Sequence, residues 1–132
     1  MNRTYRSFAA VAVGLLITTC KDSTGPVAGV LKVNLTTPHS GADGAVMLVL
    51  ASPVAPHSVT PAPGLALWGA SVTSESLRVV LTGTLSSGSI LSLQVDDINK
   101  VGQYSVRLEQ VAASSGYGLR LPLTGYSATV TK

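Results

Sequence analysis

Apolar and polar residues alternate with period two in five separate stretches of this chain, and this pattern limits its fold more than any other feature. In residues 30–36, Leu31, Val33 and Leu35 share one face of an extended chain, while Lys32, Asn34 and Thr36 share the other. In residues 77–82, Leu77, Val79 and Leu81 oppose Arg78 and Thr82, with Val80 the exception. Leu91, Leu93 and Val95 oppose Ser92 and Gln94. Tyr104, Val106 and Leu108 oppose Ser105, Arg107 and Glu109, and Tyr126, Ala128 and Val130 oppose Ser127, Thr129 and Thr131. Successive side chains of a strand point to opposite sides, so this spacing describes strands with one face in a core and the other toward water. Residues 45–50, AVMLVL, are apolar at every position, which predicts a central strand covered on both faces.

The punctuation between these stretches agrees with strands. Gly41 to Gly44, Gly83, Ser86-Ser87-Gly88, Asn99-Lys100 and Ser114-Ser115-Gly116 all fall where turns are needed. Pro53, Pro56, Pro61 and Pro63 crowd one connection. Proline cannot donate to a β ladder, so residues 52–64 are expected to form an irregular crossing between sheets or a sheet edge. With 132 residues there is room for one domain. The expected fold is an all-β antiparallel sandwich of about seven to nine strands.

Residues 1–7, MNRTYRS, carry Arg3 and Arg6 and no acid, and residues 8–17, FAAVAVGLLI, are apolar or small throughout. A positive segment followed by a short apolar one is the layout of a helical export signal. Ten residues are too few to span a bilayer, which takes about twenty. The apolar run ends in Ile17-Thr18-Thr19-Cys20, and Cys20 is the only cysteine in the chain. It cannot form an internal disulfide, and an exported protein with one cysteine needs another use for it. No A-x-A site for ordinary signal cleavage follows. The four residues resemble the lipobox of bacterial lipoproteins, with Ile17 at the aliphatic position. Thr19 departs from the Gly, Ala or Ser usual before the cysteine.

That resemblance implies a diacylglycerol on Cys20, cleavage before it, and a membrane-anchored product. The expected organisation is a signal peptide over residues 1–19, a lipidated tether over 20–28, and a sandwich over 29–132. Lys21 stands where an Asp would, by the enteric sorting rule, retain a lipoprotein at the inner membrane, so the outer membrane of the bacterial envelope is the expected location. The sandwich itself is similar to the cohesin-like domains of the carbohydrate-binding-domain superfamily, through VLKVNL, AVMLVL, the stretch from Ser58 to Leu65, ILSLQVDDI and YSVRLEQVAA. The Y-D-P motif common after that family's second strand is replaced by Ala51-Ser52-Pro53, so dockerin binding is not carried over.

The overall charge of +3 points to nucleic acid only until the charges are placed. After Cys20, seven cations face six anions and leave a formal +1, with no cluster of Lys or Arg. Phosphate binding relies on clustered cations, so no nucleic-acid partner is expected. His39 and His57 each follow a proline in turn-like sequence, without Cys, Asp or Glu at ligand spacing; Asp43, four residues beyond His39 on a glycine-flanked stretch, fixes nothing. Asp96, Asp97 and Asn99 form the densest acidic spot and a weak calcium candidate, but no D-x-[DN]-x-[DN]-G run accompanies them.

No G-x-S-x-G, P-loop, dinucleotide-binding glycine motif or H-E-x-x-H occurs, so neither catalysis nor a cofactor is expected. Trp68 and Tyr117 lie beside glycines, where their rings can be exposed for ligand binding; packing is the competing use. The expected function is a non-enzymatic, membrane-anchored module that binds an envelope protein or supports a structure. The alternative is a carbohydrate-binding lipoprotein that uses Trp68 and Tyr117.

Overall fold

The computed structural model describes residues 25–72 and 76–132. The strands are β1 (Gly29–Thr36), β2 (Asp43–Ala51), β3 (Ser58–Pro61), β4 (Ala66–Val72), β5 (Ser76–Leu85), β6 (Gly88–Val95), β7 (Ser105–Ala113) and β8 (Ser127–Thr131), with one 3₁₀ helix at Ile98–Gln103. They form two four-stranded antiparallel sheets, ordered β3-β6-β1-β8 and β4-β5-β2-β7. Most consecutive strands lie in opposite sheets, so the chain crosses repeatedly at the two ends of a β-sandwich. One end holds the entry to β1, the β2–β3 connection and the 3₁₀ helix; here it is called the entry end. The far end holds the β1–β2, β5–β6 and β7–β8 connections.

The inward phase of the alternating stretches forms the core. Leu31, Val33 and Leu35 meet Leu48, Leu50, Val79, Leu81 and Leu93, all at most 1% exposed. Burial of such side chains contributes roughly 1.5–3 kcal/mol each and is the main force joining the sheets.

Three departures from strict alternation matter. The register of β1 on β6 slips between Val33 and Asn34, so Ile90 and Leu91 are adjacent yet both buried. The register of β2 on β7 slips between Met47 and Leu48, leaving Glu109 without an opposite residue. The register of β2 slips against both neighbours between Asp43 and Ala45. Bulges of this kind re-aim a side chain. Here Asp43 ends at 0% exposure beside the core.

β2 is central in its sheet, as its composition predicts, but only one of its faces is sealed. Val46, Leu48 and Leu50 are buried, whereas Ala45, Met47 and Val49 are half-buried on the outer side. Apolarity at every position therefore reflects a core face and a surface face, and the expectation of two covered faces is corrected. The proline-rich crossing does run from one sheet to the other, and it includes edge strand β3, where Pro61 costs no interior ladder bond. Asn99-Lys100 lies within the 3₁₀ helix rather than a simple turn, and β7 begins one residue after Tyr104.

Candidate functional site

The two outer faces of the sandwich differ in chemistry. Across the sheet β3-β6-β1-β8, register aligns Thr60, Ser92, Lys32 and Thr131 in one row. Across the sheet β4-β5-β2-β7, the corresponding row is Trp68, Val80, Met47 and Gln110. The first row offers hydroxyls and an ammonium to water. The second offers an indole, an isopropyl and a thioether, with the carboxamide of Gln110 at its end.

Trp68 is 59% exposed. Its indole N–H donates to Thr82 Oγ1 at 2.7 Å, which orients the ring along the sheet surface. Leu119, 56% exposed, is carried to the same face by a bridge to Ala112. It closes one side of a shallow cleft of about 80 Å³ over Ala45, Met47 and Val80. Below this apolar strip, Glu109 binds two arginines: Arg107 Nη2 donates to Oε1 at 2.9 Å and Arg78 Nε approaches Oε2 at 3.3 Å.

Tyr117 stands at the tip of the turn that follows β7. The turn is held by Ala113 N–H to Gly118 O at 2.9 Å and Arg120 N–H to Val111 O at 2.8 Å. Its φ of 53° lies in the left-handed region, which costs a side-chain-bearing residue about 1 kcal/mol or more. The ring is 69% exposed, so packing does not compensate for that cost. Trp68 and Tyr117 are both exposed, as a ligand-binding use requires, but they are not neighbours. Trp68 is on edge strand β4, and Tyr117 lies past the end of β7, about three strand spacings or ~14 Å across the sheet.

The far end holds a polar cluster that the sequence does not bring together. Asp43 accepts from Thr37 Oγ1 at 2.5 Å, from Arg120 Nε at 3.1 Å, and from the Tyr126 hydroxyl, which lies 3.1 Å from both carboxylate oxygens. Because that hydroxyl donates to Asp43, its oxygen accepts from His39 Nδ1–H at 3.0 Å. The His39 ring stacks on the Tyr126 ring. Burial pushes the Tyr126 hydroxyl above its ordinary pKa; the Thr37 hydrogen bond opposes this and Asp43 adds to it. Asp43 and His39 thus share a network after all, but through Tyr126. With its carboxylate filled and its surface closed, Asp43 ties connections together and presents no reacting atom.

The calcium candidates are each engaged elsewhere. Asp97 Oδ1 accepts from Val27 N–H at 3.2 Å and Asn99 N–H at 3.0 Å, and the Val27 bond is the main cause holding its carboxyl below the ordinary range. Asp96 Oδ1 pairs with His57 Nε2 at 2.5 Å, and Asn99 Oδ1 accepts from Lys132 Nζ at 3.2 Å. Among the described residues no group of three His, Cys, Asp or Glu side chains is placed to hold a metal ion. Cys20 and the export segment lie outside the described residues.

Sequence reasoning missed Met47, Val80 and Leu119 as surface residues. Two signals pointed to the first two: Val80 broke the alternation of its strand, and β2 was apolar on both phases. No family model, curated protein or solved structure matches the chain.

Proposed function

We propose that the chain is a lipid-anchored lipoprotein of the bacterial envelope whose β-sandwich binds a protein partner without catalysis. The anchor is the lipid expected on Cys20, and the outer membrane is the membrane favoured by Lys21. The partner face is the outer surface of β4-β5-β2-β7. The observation that carries this reading is the contrast between the Trp68-Val80-Met47-Gln110 row and the Thr60-Ser92-Lys32-Thr131 row. On a sheet face exposed only to water, tryptophan, methionine and leucine gain little beyond cross-strand packing. Protein interfaces are enriched in aromatic residues, methionine and arginine.

Two experiments test the two halves of the proposal. Labelled-palmitate incorporation with membrane fractionation, comparing the intact protein with Cys20→Ser, tests the anchor: label and membrane location are expected to vanish together. A photo-cross-linking residue at Met47, compared with one at Thr129 on the polar face, tests the partner face in native envelopes. A discrete adduct at position 47 that Trp68→Ser abolishes is expected. Equal, diffuse labelling at both positions would overturn the protein-binding reading.

The second reading is carbohydrate binding, supported by the exposure of Trp68 and Tyr117. Their separation requires an extended glycan to touch both rings. Glycan affinity unchanged in Trp68→Ala and Tyr117→Ala would end that reading.

A further inference from the structure

At the entry end the chain arrives through Gly25, Pro26 and Val27, all exposed. Val27 is fixed there on both sides: its N–H donates to Asp97 Oδ1 at 3.2 Å, and its carbonyl accepts from Ile98 N–H at 2.8 Å. Beside it stands the β2–β3 connection, with Pro53, Val54 and Ala55 forming the apolar rim of a cleft of about 190 Å³ whose opposite wall carries Asp96, Asp97 and Lys100. Val54 is 57% exposed and Val27 44%. On the adjoining sheet, the one exposed valine of an otherwise polar outer face is Val30, also 44% exposed and at the same end.

The two carboxylates at this end are engaged within the chain, and Lys100 and Lys132 balance them in number. Asp96 faces His57, Asp97 faces backbone N–H groups with Lys100 and Lys132 nearby, and Lys132 donates to Asn99. What remains for an outside partner is an apolar tip on a nearly neutral ground.

Chain length then decides what that tip can meet. From Cys20 to Gly25 there are five residue steps, which span at most about 18 Å even when fully extended. β2 runs the height of the sandwich in nine residues, or about 30 Å. A lipid on Cys20 therefore keeps the entry end within about 18 Å of the bilayer surface, a limit that does not bind the far end about 30 Å further along the strands. The geometry points to the lipid surface itself as the partner of this end: Val54, Ala55 and Val27 seat in the headgroup layer of the anchoring membrane. The contact stands the sandwich upright, with the Trp68 and Met47 face turned sideways at mid-height and Tyr117 at the end away from the bilayer. This inference rests on the lipid anchor in the proposed function. Because the tip is apolar and the local charges are balanced, the contact is insensitive to salt, unlike a basic patch on anionic lipid.

The test uses the full chain produced in a host that processes lipoproteins, reconstituted in vesicles of phosphatidylethanolamine and phosphatidylglycerol. Val54→Cys, with Ala55→Cys as a second variant at the same tip, and Ser115→Cys at the far end are labelled with an environment-sensitive fluorophore. A lipidated Cys20 has no free thiol, so the unsubstituted protein serves as the labelling control. The expected result is blue-shifted emission at positions 54 and 55, several-fold stronger quenching by nitroxide lipids there than at position 115, and no change in high salt. Equal quenching at the tip and position 115, with an unlabelled control, overturns the membrane contact while the anchor stands. Labelling of the control at Cys20 overturns the anchor and the contact with it.

Discussion

Arg120 reaches across 77 residues of sequence to place its Nε 3.1 Å from Oδ1 of Asp43, a carboxylate with 0% exposure. The Arg120 side chain is itself three-quarters buried, with 26% exposed. Among the described residues it joins Thr37 and Tyr126 in donating to the buried anion, and it ties the β7–β8 connection to the start of β2.

Removing the cation should therefore cost more than removing a surface charge. Arg120→Met is expected to destabilise the fold by about 3–5 kcal/mol, the range for leaving one partner of a buried pair uncompensated. Asp43→Leu combined with Arg120→Met should recover much of the loss. Urea denaturation of the single and double variants checks this; strictly additive losses would show that the pair is not coupled.

Tyr126 adds a pH dependence. Its folded pKa is raised, so above the ordinary value near 10 the unfolded chain sheds the proton while the folded chain keeps it. Stability is then full below about pH 10 and falls as pH rises toward the folded pKa. Tyr104 is raised as well, first by burial and then by Asp96 and Asp97. Tyr126→Phe should cost about 1–2 kcal/mol at neutral pH by stripping a donor from Asp43. It should also flatten part of the alkaline fall, with Tyr104→Phe flattening the rest.

On the acid side Asp97 contributes, because its folded pKa lies below its ordinary 3.8. Its contribution is present above that value and is lost as pH falls through the lower folded pKa, because the unfolded chain takes up the proton first. Asp97→Asn should flatten part of the acid limb. It should also speed hydrogen exchange at the amides of Val27 and Asn99; unchanged exchange at both would show that the carboxylate does not hold them.

Gly44 is a packing requirement. A Cβ at this position would lie 2.7 Å from the Cα of Ser114, a backbone atom that cannot swing aside. Gly44→Ala is expected to cost about 1–3 kcal/mol, the usual range for overpacking. Gly102→Ala, where a Cβ meets open space, should be nearly neutral in the same thermal melt.

On the outer face the expectation reverses. Met47→Lys and Trp68→Ser should change stability by about 1 kcal/mol or less while abolishing the cross-link to a partner. Leu48→Ala, one residue from Met47 but in the core, should cost about 2–5 kcal/mol. Equal destabilisation at Met47 and Leu48 would show that both phases of β2 serve the core.

The strands of this protein were readable because alternation is a local property: Leu31, Val33 and Leu35 announce a buried face without reference to anything distant in the chain. The sandwich class followed from the number of such stretches and the turns between them. β4 was harder, since Trp68, Gly69 and a register slip against β5 interrupt its pattern. Glycine neighbours left exposure or packing open for Trp68 and Tyr117; that both are exposed, and how far apart they lie, depends on strand order and turn geometry. The acidic spot at Asp96 and Asp97 was visible as composition. Its use in capping the 3₁₀ helix and holding Val27 was not, because Val27 is 70 residues away.

By itself, then, the sequence determined an all-β chain with a proline-rich crossing between strands, and it set out Ile17-Thr18-Thr19-Cys20 as the segment to test for a lipid. Only the tertiary structure decided which strands are neighbours, that the surface phase of β2 meets Val80 and Trp68 to form an apolar face, and that Asp43 finds Arg120 and Tyr126. The physical reason is the same in each case. Side-chain direction repeats every two residues and can be read locally, whereas sheet order, bulge position and the pairing of buried charges depend on contacts between segments that sequence spacing does not relate.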